Sequence, residues 1–393
     1  MDGQESKGGR LGIVVVLGTT QTLAWASSYY LPAILGDRIA QDLNISSTWF
    51  FAAFSGALLV SAVVGPPAGR IVDAIGGREV LAASNVIIAA GLAILAVAQS
   101  PPVLGLAWLV LGTGMGVGLY DTAFATVGRI YGRDARSAIT GITLIAGFAS
   151  TIGWPLTAWG ASEFGWRQTC FAWSAGHLLF GLPVNLFLLP KARTFVKSVD
   201  AGGKPRIPID RRMLVLGFAF ATSWMVVSAM AVHLPRLLEA VGATRVQAIA
   251  ASTLIGPAQV AARIAEASVL KRFHPVYAAR LSVALHPIGA AVLALVGAGS
   301  ASAFTILHGA GSGILTIARG TLPLALFGPE NFGYRLGLLG APSRVATAAA
   351  PLLFGLLIDF YGAGALAFSA ALNLAALLAL CALGATTKGR DDG

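Results

Sequence analysis

Twelve long apolar segments follow one another along this chain of 393 residues, and they constrain its fold more than any other feature. Crossing the hydrocarbon core of a bilayer, about 30 Å thick, takes roughly 20 helical residues. Only 11% of the residues are charged, whereas a soluble domain carries about 25%. We therefore predict an all-α polytopic membrane protein whose twelve transmembrane helices lie at about residues 11–35, 47–69, 79–99, 102–127, 138–162, 167–189, 212–237, 246–270, 276–299, 302–326, 335–358 and 364–386.

Basic residues fall mostly on one side of the predicted membrane. With the N-terminus in the cytoplasm, 21 of the 27 Lys and Arg residues lie in cytoplasmic segments, and 4 lie on the opposite side. This asymmetry is the positive-inside signal of membrane topology. We therefore interpret the net charge of +10 as a topology signal and not as a surface for nucleic acid. Both termini are expected in the cytoplasm, and the membrane is expected to be a bacterial-type inner membrane.

The turn after the second apolar segment carries the most informative motif, GRIVDAIGGRE at residues 69–79. Its paired glycines permit a tight turn between two helices. The Asp73 carboxylate can pair with Arg70, with Arg78 or with the positive end of the following helix. The string resembles the loop between helices 2 and 3 of the major facilitator superfamily, Gly-x-x-x-Asp-x-x-Gly-Arg-Arg/Lys, with glycine here in place of its first basic residue. The residues that match the pattern are Gly69, Asp73, Gly76 and Arg78.

Matching strings in the two halves of the chain indicate an internal duplication. GRIVD at residues 69–73 closes the second segment, and ARIAE at residues 262–266 closes the eighth, so that Arg263 and Glu266 correspond to Arg70 and Asp73. The resemblance implies two parallel six-helix bundles with a site at their interface. We predict an N-terminal bundle at residues 1–190, a cytoplasmic linker at 191–211 and a C-terminal bundle at 212–393.

Ionisable residues at membrane depth are few, and each costs at least ~2.5–3.5 kcal/mol without a partner or a water-filled cavity. Arg344, near the middle of the eleventh segment, could bind a solute carboxylate through two parallel hydrogen bonds, or a salt bridge could lock it to another helix. Asp121 and Arg319 hold nearly equivalent places in the fourth and tenth segments. They could bridge the two halves, or Asp121 could carry a coupled proton. We assign Arg344 to substrate binding. Gating or coupling is assigned to Asp121, Arg319, Gly69, Asp73, Gly76, Arg78, Arg263 and Glu266.

Polar and aromatic side chains supply further binding candidates. Gln21, Trp25 and Tyr29 recur every four residues and share one stripe of the first segment, which can line a cavity or pack against a neighbour. His233 and Gln259 complete the predicted binding set. Met225 and Met230 stand near His233 in the sequence, and sulfur with imidazole suits copper(I), which leaves a copper importer open. The eighth segment has no methionine, however, and we predict neither a resident metal nor a cofactor.

The sequence contains no nucleotide-binding motif, so a gradient is the expected energy source. We predict a secondary transporter that moves a small organic solute, anionic or zwitterionic, by alternating access, with uptake favoured and a proton as the candidate coupled ion. Alternatives are a drug or metabolite efflux antiporter, vitamin uptake and copper import. An intramembrane enzyme is disfavoured because no HExxH or GxSxG string exists, and a sensor because no soluble signalling domain is present. We expect a monomer in the lipid bilayer with no nucleic-acid partner.

Overall fold

The computed structural model describes residues 7–191 and 207–383, and the regular elements in those ranges are helices. Most of the predicted linker and both chain ends lie outside the described residues. Within them, eleven helical runs are long and apolar enough to cross a membrane. One of these runs, Pro101–Glu163, has 63 residues, which suffices for two crossings. The predicted all-α polytopic fold with twelve crossings is confirmed.

The chain divides into two compact units. The first contains Met1–Asp210 together with Gly328–Ala341, and the second contains Arg211–Phe327 together with Pro342–Gly393. One long helix, Phe332–Tyr361, therefore contributes its first turns to the first unit and its remainder to the second. The C-terminal bundle predicted from the sequence, residues 212–393, contained the whole of that helix.

Helices of the first unit begin and end at residues suited to those positions. Ser46 caps one of them by accepting a hydrogen bond from the Trp49 amide, and the same helix ends at Gly76, whose φ of 95° favours glycine. Another helix begins with proline at its first position, where no amide donor is needed. The helices are α1 Lys7–Ser27, α2 Pro32–Asp42, α3 Ser47–Ile75, α4 Gly77–Ala96, α5 Pro101–Gly118, α6 Tyr120–Tyr131, α7 Arg136–Ala146, α8 Ala149–Glu163, α9 Trp166–Gly176 and α10 Leu182–Leu188.

Helices of the second unit surround an apolar core in which Phe304 and Phe354 are fully buried. Thr244 and Gln247 form a reciprocal capping box at the start of one short helix. The helices are α11 Arg211–Ala240, α12 Arg245–Ser252, α13 Ile255–Ser268, α14 Pro275–Val296, α15 Ala301–Phe327, α16 Phe332–Tyr361 and α17 Gly364–Cys381. The first turns of α16 belong to the first unit, as described above.

Candidate functional site

Asp73 binds the amino end of α16. Its Oδ1 accepts a hydrogen bond of 2.8 Å from the Gly333 amide, and its Oδ2 accepts one of 2.8 Å from the Tyr334 amide. These amides belong to the second and third residues of α16, which have no acceptor within the helix. A carboxylate there also interacts favourably with the positive end of the helix dipole. Asp73 therefore caps α16 from a different helix.

Glycines bring the backbones of α3 and α16 into direct contact. A Cβ atom on Gly69 would lie 2.1 Å from the Gly333 carbonyl oxygen, and one on Gly333 would lie 2.5 Å from the Gly69 carbonyl oxygen. One turn further along α16, a Cβ on Gly337 would lie 2.5 Å from the Cα of Pro66. No other residue type fits at Gly69 without displacement of backbone, which gives the first glycine of the motif a steric reason. We call this contact, together with the Asp73 cap, the α3–α16 clamp.

Arginines surround the clamp without pairing with its carboxylate. The Arg70 guanidinium lies over the Tyr334 ring, 3.9 Å from its centroid, and hydrogen-bonds its hydroxyl. Arg129 donates to the carbonyls of Val72 and Asp73 at the end of α3. Arg78 makes no ion pair in the described part of the chain, and its Nε atom is buried without a hydrogen-bond partner there. Arg70, Arg78 and the following helix were the expected partners of Asp73, but both of its carboxylate oxygens instead accept hydrogen bonds from amides at the start of α16.

The corresponding residues of the second unit are more deeply buried. Arg263 is 6% exposed and Glu266 is 1% exposed, and both belong to α13. Within the described residues, the Nε and Nη1 atoms of Arg263 have no hydrogen-bond partner, whereas Glu266 is engaged. The gating role of this pair stays a prediction.

The fourth transmembrane segment is broken at Leu119, between α5 and α6. Leu119 has an extended backbone, with φ −82° and ψ −167°, although no proline is present there. The Gln21 amide nitrogen of α1 donates a hydrogen bond of 2.7 Å to the Gly118 carbonyl, which satisfies one acceptor exposed by the break. The Gln21 side chain is 1% exposed, and its Oε1 atom has no hydrogen-bond partner among the described residues. Broken membrane helices of this kind occur at transporter binding sites.

Aromatic rings lie beside this break. The Trp25 ring centroid is 4.8 Å from that of Tyr120 and 5.1 Å from that of Tyr29. Tyr120 in turn stacks on Phe124 at 5.2 Å. In the described structure the Trp25 Nε1 atom is buried and has no acceptor. Gln21 and Trp25 of the predicted stripe thus lie against a break that sequence reasoning missed, whereas Tyr29 lies beyond the end of α1 at Ser27.

Each of the three charged residues that were predicted at membrane depth has an interaction partner. Asp121 is buried in the first turn of α6, where the helix dipole stabilises a carboxylate. Arg319 of α15 lies 5.6 Å from the ring centroid of Trp224. Arg344 is half-buried in α16, and all three charges have interaction partners. The roles assigned to Asp121, Arg319 and Arg344 stay predictions.

His233 supports the bend of α16 at Pro351. Its Nε2 atom donates a hydrogen bond of 2.7 Å to the Pro351 carbonyl. Proline lacks the amide that would bond the Thr347 carbonyl, and the Ser228 hydroxyl donates to that carbonyl at 3.0 Å instead. Two residues of α11 therefore hold the proline bend. The described residues contain no group of three or more His, Cys, Asp or Glu side chains that could hold a metal, so nothing there favours the copper alternative.

Gln259 connects two helices of the second unit. Its Nε2 atom on α13 donates a hydrogen bond of 3.0 Å to the Ser312 hydroxyl on α15. Gly309 and Gly313 lie on either side of Ser312, and Cβ atoms on them would meet the α13 backbone at 2.9 Å and 2.5 Å. Gln259 thus belongs to a tight helix contact, and its role in substrate binding stays a prediction.

Known proteins resemble this chain over nearly its whole length. A family model for the Major Facilitator Superfamily matches residues 17–305. The gentisate transporter of Corynebacterium glutamicum is 27% identical over 397 residues, which cover 93% of this chain and 84% of that protein. An uncharacterized 38 kDa protein in the 23S RNA operon of Thermoproteus tenax is 29% identical over 351 residues, covering 89% of each.

Two solved structures have the same fold. The human organic anion transporter MFSD10 superposes with a TM-score of 0.72 at 17% identity, covering 96% of this chain and 100% of that one. The proton:xylose symporter XylE superposes with a TM-score of 0.74 at 11% identity, covering 96% of each chain. Together with the clamp motif and the family match over most of the sequence, these findings establish that the chain belongs to the major facilitator superfamily.

Proposed function

We propose that this protein takes up a small organic anion of the aromatic carboxylate class across the inner membrane by alternating access. As a member of the major facilitator superfamily, it is a multi-pass membrane transporter of small solutes and not an enzyme. Beyond membership of that family, we propose the class of substrate, the direction of transport and the identity of the membrane. The observation that carries it is the broken helix at Leu119 with Gln21 and Trp25 beside it.

The chemistry of this cluster suits an aromatic ring with polar substituents. The rings of Trp25 and Tyr120 offer faces and edges against which another ring can stack. The unpaired Gln21 Oε1 is an acceptor, and the unpaired Trp25 Nε1 is a donor, within the described structure. A hydroxylated aromatic acid can supply the complementary hydroxyl and oxygen atoms. The similarity to a gentisate transporter supports the same class of substrate.

A carboxylate requires a cation, and we retain Arg344 as its predicted anchor. A guanidinium is permanently charged and matches a carboxylate with two parallel hydrogen bonds. Both features favour an anion over a sugar or a neutral vitamin. Uptake is proposed because the sequence lacks the glycine-flanked Gly-Pro pattern of antiporters in the fifth segment, where Gly153-Trp154-Pro155 occurs instead.

Uptake of radiolabelled gentisate into proteoliposomes tests the proposal. Trp25→Phe keeps a ring but removes the Nε1 donor, and we expect the apparent KM to rise by about tenfold, equivalent to about 1.4 kcal/mol. Trp159→Phe is the matched control, because Trp159 is 58% exposed on α8 and should leave KM unchanged. Saturable uptake of gentisate that is equal in wild type and in Trp25→Phe would remove the cluster from the binding site. Failure of a panel of aromatic acids to be transported at all would refute the substrate class.

A further inference from the structure

Two buried histidines of the second unit share a hydrogen bond. The Nδ1 atoms of His286 on α14 and His308 on α15 are 2.9 Å apart, and the two side chains are 2% and 4% exposed. The His286 Nε2 atom lies 2.9 Å from the Ser369 hydroxyl on α17. One imidazole must donate to the other, because each Nδ1 atom carries at most one proton. The bonds around Ser369 determine which one.

The bonds of Ser369 suggest one protonation pattern for both rings. We assign the Ser369 hydroxyl proton to the Leu366 carbonyl, 2.8 Å away, and with this assignment the hydroxyl oxygen accepts a hydrogen bond from His286 Nε2. A neutral His286 with its proton on Nε2 has a bare Nδ1, which accepts from His308 Nδ1. His308 is then bare at Nε2. Among the described residues, no group forms a hydrogen bond with that nitrogen.

The two histidines border a small polar cavity with unpaired acceptors. Ser223, Ser312 and Asn373 also line it, and its volume is about that of one water molecule. In the described structure, the Ser223 hydroxyl and the Asn373 Oδ1 atom are buried without a hydrogen-bond partner. Three atoms of the lining, counting His308 Nε2, therefore lack a hydrogen-bond partner in the described structure.

No carboxylate lines the cavity within the described residues, and its titratable groups are the two histidines. The charged side chains within α14 and α15 are engaged elsewhere. Arg280 donates to the carbonyls of Leu380 and Leu383 at the end of α17, and Arg319 lies beside Trp224. α17 carries no charged residue, and the charges of α11 lie at its ends. His308 Nε2 and the Asn373 Oδ1 atom are therefore two acceptors of the lining that an added proton can satisfy.

We propose that His286 and His308 form a proton-binding site of this transporter, which protons enter at His308 Nε2. An incoming proton adds to the lone pair of His308 Nε2. The Nδ1 proton of His308 then passes to His286 Nδ1, which leaves His308 neutral with its proton on Nε2. His286 becomes the cation, donating to His308 and to Ser369. One proton is gained, each existing hydrogen bond is kept, and a new donor faces the cavity acceptors.

A third buried histidine shows why the pair is distinctive. His177 of the first unit is fully buried, but its Nε2 lies 2.7 Å from the Ser27 hydroxyl and its Nδ1 lies 2.8 Å from the Asn85 Oδ1. Both ring nitrogens are occupied, so no nitrogen is free to receive a proton from a cavity. His177→Gln is therefore the matched control for His308→Gln.

The first experiment rests on the proposed function and separates exchange from accumulation. Proteoliposomes receive radiolabelled gentisate either in equilibrium exchange, which needs no net proton movement, or under an inward proton gradient. For His308→Gln we expect exchange within about twofold of wild type and a loss of gradient-driven accumulation of about tenfold or more. His177→Gln should keep both. Accumulation by His308→Gln at the wild-type level, or accumulation driven by sodium and insensitive to the proton gradient, would overturn the proposal.

A second measurement needs no substrate, so it remains decisive if gentisate is not transported. Nitrogen-15 NMR of histidine-labelled protein in lipid distinguishes ring nitrogens that carry protons from those that do not. We expect His286 protonated on Nε2 and His308 on Nδ1 at alkaline pH, with an imidazolium signal on acidification that His308→Gln abolishes. Opposite tautomers, or an imidazolium signal assigned to His286 that persists in His308→Gln, would refute the relay. Absence of gentisate exchange in wild type, with the expected NMR signals, would refute only the substrate class.

Discussion

Asp73 and Gly333 are 260 residues apart in the chain, and the Asp73 carboxylate accepts a 2.8 Å hydrogen bond from the Gly333 amide. The second carboxylate oxygen binds the next amide, that of Tyr334. One side chain thus satisfies two of the amides that α16 leaves without acceptors. This relationship gives the motif at residues 69–79 a physical role, because it holds the start of α16 against α3.

Asp73→Asn should weaken this cap while leaving the fold intact. The amide side chain keeps one acceptor oxygen but loses the charge and places a donor against one of the helix amides. Loss of a cap costs about 0.5–2 kcal/mol. We expect the maximal rate of gentisate uptake to change several-fold and KM by less than about twofold. A variant with wild-type turnover, or with a change confined to KM, would show that the residue does not control cycling.

Gly69→Ala should have a larger effect, because its Cβ would lie 2.1 Å from the Gly333 carbonyl oxygen. Overpacking of this kind costs about 1–3 kcal/mol. Transport turnover and the thermal midpoint in detergent should both fall. Gly105→Ala on α5 is the matched control, since nothing lies within 4 Å of a Cβ at that position. If the two alanine variants behave alike, helix propensity and not the clamp explains the result.

Ser228→Ala tests the support of the α16 bend. With Pro351 present, loss of the Ser228 hydroxyl leaves the Thr347 carbonyl unpaired, at a cost of about 1–3 kcal/mol. With Pro351→Ala, the restored amide can bond that carbonyl, so the same serine change should be nearly neutral. Thermal unfolding of both single variants and the double variant measures this coupling. Additive effects would show that the serine and the proline act independently.

Arg344→Lys keeps a cation but loses the geometry for two parallel hydrogen bonds, so part of the affinity for gentisate should remain. Arg344→Ala should weaken binding by about tenfold or more, since hydrogen bonds to charged groups contribute about 1.5–3 kcal/mol. Arg38→Ala, at an exposed position on α2, should bind gentisate normally.

The double variant Asp121→Asn with Arg344→Gln distinguishes an Arg344 that binds the substrate anion from an Arg344 that pairs with Asp121. Recovery of transport there would make Arg344 a gate residue, whereas an anion anchor would not be rescued.

The predicted topology places residue 202 in the cytoplasm, on the basis of the basic residues around it. A cysteine introduced there should react with an impermeant thiol reagent only in inverted vesicles. The background must lack Cys381, which is exposed, whereas Cys170 is buried. Labelling from outside intact cells would reverse the orientation and with it the cytoplasmic location of the termini.

Hydropathy was sufficient to predict the helical architecture, because a bilayer allows few alternatives to apolar helices. The motif around Asp73, together with the twelve apolar segments and the internal repeat, predicted the superfamily. Periodicity placed Gln21 and Trp25 one turn apart on α1, whereas Tyr29 lies beyond the end of that helix at Ser27. These predictions depend on residues close together in sequence.

The features that sequence reasoning missed depend on tertiary contacts. The partner of Asp73 is an amide, Gly333, and every residue type has an amide, so composition carries no signal for it. The break at Leu119 has no proline to mark it, although the buried Asp121 nearby was a hint. The contact between His286 and His308 could not be predicted, because nothing in the sequence indicates that helices α14 and α15 bring their rings together.

α16 has a mechanical consequence for the transport cycle. Its turns before Pro342 belong to one compact unit and the remainder belongs to the other, while the helix itself is continuous. A movement of the later turns of α16 that is not absorbed at Pro342, where the chain lacks an amide, would release the Gly333 and Tyr334 amides from Asp73. Hydrogen–deuterium exchange at the Gly333 and Tyr334 amides would show when they separate from Asp73. Opening of the α3–α16 clamp could then be followed in the transport cycle without a labelled substrate.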